Sequence, residues 1–426
     1  MVTVLALVML TLLLLGFPML VPLLAGALLL ALVFIDVDPS NLISAMVRGI
    51  EPEVLVAVPM FIFAADLMTH GQTANRLLDL VMSFIRHIRG GLPITTAASC
   101  TLFGAVSGST QATVVAMGQP LRPKLLQAGY KDSFALALII NASDIALLIP
   151  PSIGMIIYGV VSGTSVGELF IAGIGPGLLI LCLFSIYCYI VSRRQNIPIL
   201  PPASWRERRR AVVRGLLPLG FPVIVIGGIY TGNFSPTEAG AMSVLYALFL
   251  ELAVFRKLKL VDIPAIALST GLITAVVFIL VGAGGAFSWA ISFAQIPQLL
   301  LGDFIANAAQ NPTLVLVFIC LAFFVGCMFV DPIVVILVLT PLFAPAIQMS
   351  GLDPVLVGTL ITLQVAIGSA TPPFGCDIFT AIAVFRRPYL EVIRGTPPFI
   401  AILISATGLL IAFPQIALFL RDLAYG

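Results

Sequence analysis

Leu148-Ile149-Pro150-Pro151-Ser152 and Ala370-Thr371-Pro372-Pro373-Phe374 decide the fold of this chain. Each double proline sits inside an apolar run. Proline there removes a backbone donor and clashes with the preceding turn, so each run reads as a helix broken in its middle. The two breaks lie 222 residues apart, and at the same offset Gly104 falls on Gly326, Pro123 on Pro345 and Gly129 on Gly351. Random placement of Gly and Pro in such windows gives roughly one coincidence, so the chain reads as an internal repeat.

Composition leaves one solvent for such a chain. Of its 426 residues 60% are hydrophobic and 9% charged, and the mean hydropathy of +1.16 is far from that of globular domains. At about 20 apolar residues per helical crossing, the chain passes a bilayer roughly ten times. The longest polar stretch, Gln195 to Gly215, is too short to build a core, so no soluble domain is expected. Cys100, Cys182, Cys188, Cys320, Cys327 and Cys376 are scattered through apolar segments without a CxxC pair and read as small hydrophobes. The net charge of +2 carries no nucleic-acid signal, because the basic residues gather at membrane edges. No basic residue precedes Arg48, so the apolar start reads as a first span and not as a cleavable signal peptide.

Apolar runs place spans near Val4 to Phe34, Val54 to Met68 and Asn75 to Ile85. The Gly/Ser-rich segment Ile94 to Gly118 then puts Gly104, Ser107, Gly108, Ser109, Thr110 and Gln111 at membrane depth. Irregular polar backbone persists there only when buried in protein or lining a cavity, so this segment reads as a re-entrant hairpin. After the first broken span, Asp132 to Val161, Ser165-Val166-Gly167-Glu168 reads as a capping box opening a long span to Arg193 and Arg194. The second half runs Gly215 to Tyr230, Thr237 to Phe255, Pro264 to Ile291, an interrupted region near Leu314 to Leu342, the second broken span, and a last span from Pro397 to Leu418.

The fold class expected is an all-α polytopic membrane protein with secondary-transporter architecture, an inverted repeat of about five spans each with two re-entrant hairpins and two broken helices. An odd span count inverts the second copy, and the arginine-rich connector 193–214 marks the cytoplasmic side. Arg86, His87, Arg89, Arg122, Lys124, Arg256, Lys257, Lys259, Arg386 and Arg387 then fall on that side as well. The expected divisions are scaffold spans at 1–91 and 215–313, a transport domain of hairpin plus broken helix at 92–161 and 314–384, a scaffold span with its connector at 162–214, and a C-terminal span at 385–426.

Broken helices that meet near the midplane offer freed carbonyls to cations and half-helix N-termini to anions. Carbonyls of the first break, with Ser107 and Ser109 of the facing hairpin tip, are suitable hard ligands for sodium; small residues there would equally allow close helix packing. The repeat sets Asp331 opposite Ser109, so one site is neutral and the other carries a carboxylate. Asp144, Asp331 and Asp377 lie near the breaks, and intramembrane carboxylates are functional candidates for ion, proton or substrate. Asn141 and Ser143 share the helix of Asp144 and either line its cavity or bond between helices. Ser235-Pro236-Thr237-Glu238 is a capping box with proline at N1 and is read as structural. With no basic residue near either break, a substrate carboxylate is expected at half-helix N-termini and hydroxyls near Ser152.

Phe103-Gly104-Ala105-Val106-Ser107-Gly108-Ser109, Ala128-Gly129-Tyr130, Leu148 to Ser152 continuing through Ile157-Tyr158-Gly159, Leu169-Phe170-Ile171-Ala172-Gly173, Phe234 to Glu238 and Ala370 to Pro373 resemble, in this order, the large membrane subunit of tripartite ATP-independent periplasmic (TRAP) transporters. The resemblance covers essentially the whole chain. It implies a bacterial inner-membrane, sodium-driven elevator importing an organic acid of the sialic acid or C4-dicarboxylate class. It also implies a small four-helix membrane subunit and a soluble periplasmic substrate-binding protein as partners. Two sodium sites carry over, one on Ser107, Ser109, Ala146, Ile149 and Pro151, the other on Gly326, Asp331, Gly368, Thr371 and Pro373. Substrate contacts are expected from Asn141, Ser143, Asp144 and Ser152, where Asp144 replaces the small neutral residue the resemblance leads one to expect.

The alternatives are a stand-alone cation-coupled permease without a binding protein, and an intramembrane enzyme. The second lacks chemistry: the chain has two isolated histidines, no HExxH, no GxGD and no nucleotide-binding P-loop.

Overall fold

The computed structural model describes residues 1–307 and 310–425, and among them every regular element is helical. Seven helices are long and apolar enough to cross a bilayer, or eight if Pro397–Ala412 and Gln415–Tyr425, bent by 54°, form one span. Both hairpins are present. Gly91–Ser107 turns into Thr110–Gln127 at Gly108, which has φ +60°, and Pro312–Phe329 turns into Pro332–Ser350 at Val330 and Asp331. Both broken spans are present too: Asp132–Ser143 tightens into the 3₁₀ turn Asp144–Leu147 before resuming as Ile153–Ser162, and Pro354–Ser369 resumes as Cys376–Phe385.

Helix boundaries recur at the offset of the sequence repeat, from Thr73–Ile85 against Ile296–Asn307 through to the second half of each broken span. The repeated glycines have a common cause. Gly129 (φ +95°) and Gly351 (φ +67°) each end the second arm of a hairpin in the left-handed region, where other residues are strained.

Several sequence expectations need correction. Val4 to Phe34 is not one span but two adjacent helices, Val2–Leu14 and Leu20–Leu29, the latter continued by a π-helical turn, Leu30–Ile35. Gly16 (φ +80°) and Pro18 end the first helix, and Leu5 and Met9 fold back onto Gly26. Ser40–Ile50, a helix the apolar runs did not reveal, packs on Ile263–Phe293 with Gly49 against Gly285. The polar connector is partly helical, because Ser204 and Glu207 form a full capping box that starts Trp205–Tyr230. At Ser165 only half a box forms: its hydroxyl accepts from Glu168 N, while the Glu168 carboxylate lies 3.7 Å from Arg421. The box at Ser235 and Glu238, with Pro236 at the first turn, is complete.

Two groups of helices emerge from the packing. Ala57–His70, Thr73–Ile85, Trp205–Tyr230, Pro236–Leu248 and Ile263–Phe293 pack on one another. The hairpins and broken spans form a second group, and Val166–Arg194 and Pro397–Ala412 lie with it, against Gly91–Ser107 and Pro354–Ser369. Small residues let this group pack closely: a Cβ on Gly173 would run into the carbonyl of Leu148 at the first break.

Candidate functional site

The first hairpin tip rests on the first break. A Cβ on Gly104 would stand 2.6 Å from the Cα and Cβ of Ala146, and one on Gly108 would meet the carbonyl oxygen of Pro151. Pro150 has no N–H to offer the carbonyl of Ala146 four residues earlier, and Pro151 none for Leu147, so that backbone keeps acceptor capacity where the tip arrives. At the tip, Ser109 caps Thr110–Gln127, its hydroxyl oxygen accepting from Ala112 N at 3.4 Å, while Thr113 donates to Ser109 O at 2.8 Å. Ser107 Oγ lies 2.9 Å from Thr113 Oγ1. The structure thus brings the tip that carries Ser107 and Ser109 to Ala146 and Pro151, without a charged group among them, while the Ile149 side chain lies against Gly177 of Val166–Arg194.

The second tip repeats this with a carboxylate. Asp331 caps Pro332–Ser350, accepting from Ile333 N at 2.9 Å, and Val330 N donates to Gly326 O at 3.0 Å. Phe374 N donates to Met328 O at 3.1 Å, fastening break to tip, and Gly375 N donates to Thr371 O at 3.2 Å. A Cβ on Gly368 would run into Cys327, so here the small residue is on the broken span and not on the hairpin. Gly326 itself faces Val335 of its own hairpin. Pro373 O accepts from Tyr389 Oη at 3.0 Å. The tips and breaks pack closely, and the donors they offer are hydroxyl, carbonyl and carboxylate oxygens, the type a hard cation takes.

The two tips meet. Gly108, Ser109, Thr110 and Gln111 of one and Asp331, Pro332 and Ile333 of the other line a cavity of about 70 Å³, together with Ile153 and Gly154 at the start of the half-helix after the first break. Three helix N-termini open on it, with one carboxylate and no basic side chain. Ser152, buried, caps that half-helix by accepting from Met155 N at 3.3 Å. Asn141, Ser143 and Asp144 are buried behind the cavity and do not line it: Asn141 Nδ2 donates to Ala137 O and Ser143 Oγ to Ile139 O. A larger groove of about 890 Å³, lined by Met60, Phe63, Leu245 and Phe278, lies on an apolar flank of the first helix group, away from both tips.

Sequence reasoning missed the link across the halves. Thr110 donates to Asp377 Oδ1 at 2.7 Å, Ser369 to Asp377 Oδ2 at 2.7 Å, and Gln111 Nε2 to Cys376 Sγ at 3.3 Å. The first tip therefore holds the second broken span. The signal available in the sequence was the run Ser109-Thr110-Gln111 directly after the tip glycine, all polar at membrane depth.

Comparison with known proteins places this architecture. At the level of fold, a transporter from Alcanivorax borkumensis described as having an unusual topology superposes with a TM-score of 0.65 at 16% identity, covering 89% of each chain. In sequence, the chain is 68% identical to the ectoine TRAP transporter large permease protein TeaC of Halomonas elongata over the whole of both chains. It is also 68% identical to the ectoine/5-hydroxyectoine TRAP transporter large permease protein UehC of Ruegeria pomeroyi, over 98% of each. The sialic acid TRAP transporter large permease protein SiaM of Vibrio cholerae matches at 36%, over 89% of each. The family model for the DctM component of tripartite ATP-independent periplasmic transporters matches residues 6–416. The chain therefore belongs to the DctM family of TRAP transporter large permease subunits and is a multi-pass inner-membrane protein.

Proposed function

We propose that this chain is the solute-carrying subunit of a sodium-coupled TRAP importer whose substrate is ectoine or a closely related compact zwitterion. Support for the substrate comes from the 68% identity to two permeases named for ectoine, against 36% and 34% for relatives named for sialic acid and C4-dicarboxylate. This replaces the sialic acid or dicarboxylate expected from the sequence. The chemistry of the cavity agrees. Ectoine carries one carboxylate and one cyclic amidinium; helix N-termini at Thr110, Ile153 and Pro332 suit the first, and an acceptor-rich wall with Asp331 suits the second.

The observation that carries the mechanism is the meeting of the two hairpin tips with the first break around one cavity, which Val365 of the second broken span also lines. In this reading Ser107, Ser109, Ala146, Ile149 and Pro151 hold one sodium and Gly326, Asp331, Gly368, Thr371 and Pro373 another, each closing a tip on its break and so shaping the cavity between them. The two halves are inverted copies, and the hairpins and broken spans move as a unit against the other helix group. Val166–Arg194 and Pro397–Ala412 pack on that unit as well, as do Thr73–Ile85 and Ile263–Phe293 of the other group. A small four-helix membrane subunit and a periplasmic binding protein complete the transporter.

Uptake of labelled ectoine into proteoliposomes holding the chain with its small subunit tests this, with and without an inward sodium gradient and the binding protein. Uptake that requires both, and that excess unlabelled sialic acid or succinate does not compete, is the expected result. Sodium-independent uptake overturns the coupling, and uptake without any binding protein points to the stand-alone permease.

A further inference from the structure

Asp144 and Asp377 stand out because their charge has no counterpart. Both are buried, Asp144 1% and Asp377 0% exposed, and the turn that carries Asp144 packs on Thr110–Gln127 and Pro354–Ser369, the two helices whose Thr110 and Ser369 hold the Asp377 carboxylate. Asp144 comes from the turn after the first broken span's opening helix and Asp377 from the start of the second half-helix of the other, so the pair joins the two halves of the chain. Asp377 accepts one hydrogen bond on each oxygen, from Thr110 and Ser369. Asp144 accepts none: neither of its oxygens has a hydrogen-bond partner, and the same is true of Asn141 Oδ1, one turn earlier on the same helix face. Among the described residues no lysine, arginine or histidine forms a salt bridge with either carboxylate.

Two carboxylates buried in one low-dielectric interior repel each other and lack the water that would otherwise solvate them. A positive charge has to sit with them. One proton between the two would engage a single oxygen of Asp144 and leave the other, with Asn141 Oδ1, unsatisfied. A cation that takes several oxygens engages all of them. The groups in question are carboxylate and amide oxygens, which favour a hard cation over a zinc-like metal.

We infer that Asp144, Asp377 and Asn141 hold a further sodium ion at a buried site where the two broken spans meet. It is separate from the two tip sites, each of which lies within one half. Loading this site ties the two halves together, so that they carry the cavity as one body. The inference rests on the sodium-coupled reading of the chain.

Equilibrium binding of radioactive sodium to the purified full chain in detergent tests it, alongside melting with and without sodium. Asp144→Asn and Asp377→Asn are each expected to bind one sodium fewer per chain than the unaltered protein, with sodium-free melting not lowered, because asparagine can donate to the remaining carboxylate. An unchanged sodium count in a folded Asp144→Asn chain overturns the site. If both variants fail to fold, Asn141→Ala is expected to raise the sodium concentration at the midpoint of thermal stabilisation about tenfold, and an unchanged midpoint overturns the site. Failure of the unaltered chain to bind any sodium defeats the coupling itself. Loss of a sodium in Ser109→Ala but not in Asp144→Asn defeats only the buried site.

Discussion

At Gly104 there is no room for a methyl group, because a Cβ would come within 2.6 Å of Ala146. Gly104→Val is therefore expected to lift the first tip from its break and lower solute uptake at least about tenfold, while expression persists, since the clash is local. Gly408→Val, where a Cβ meets nothing within 4 Å, serves as the neutral control. Equal uptake by both variants would remove the tip from the mechanism. Gly104 was legible from the repeat, because a glycine matched at a fixed offset signals a backbone constraint. Its partner was not, since Ala146 looks like any small residue in an apolar run. Thr110 and Asp377 were harder still: they touch across 267 positions of sequence, and no periodicity reports a contact between different halves.

At the scale of elements, the ends of the broken spans are anchored by opposite charges. Arg122 donates to Asp132 at the start of the first broken span, at 2.7 and 2.6 Å, and Arg387 lies 3.0 Å away. At the start of the second, Asp353 caps the helix and pairs with Arg421 at 2.8 Å. Asp132→Asn leaves two arginines facing a neutral group and is expected to destabilise the chain by about 2–3 kcal/mol, read as a lower melting temperature in detergent. A melting temperature unchanged within error would show that the pair is screened and carries no stability. The caps illustrate what sequence can and cannot give. Ser235 and Glu238 form the expected reciprocal box, whereas Glu168, with the same spacing from Ser165, turns to Arg421, which is 253 positions further on. Local spacing proposes a cap, and a distant charge can withdraw half of it.

For the whole molecule, the breaks and hairpins were legible because proline and glycine act on the backbone directly, whereas apolar length alone suggested about ten crossings where seven or eight helices among the described residues are long and apolar enough. The grouping of helices was not, because Val166–Arg194 is apolar all round and its sequence does not say which neighbours it packs on. The boundary between the two groups is testable. Gly284 on Ile263–Phe293 faces Leu337 of the second hairpin, whose Cβ lies 2.9 Å from where a Gly284 Cβ would stand. Gly284→Cys with Leu337→Cys should cross-link on oxidation and halt uptake, with recovery on reduction. Undiminished uptake in the cross-linked protein would mean that these two helices do not slide past each other. One contact also equips the native chain with its own reporter. Cys376, partly exposed, takes its hydrogen bond from Gln111 of the first tip, whereas Cys182, exposed, sits mid-span on the outward flank of Val166–Arg194. A polar, membrane-impermeant alkylating reagent partitions away from Cys182, so its rate of labelling at Cys376 reads how often the tip lets go of the opposite half, without any engineered cysteine.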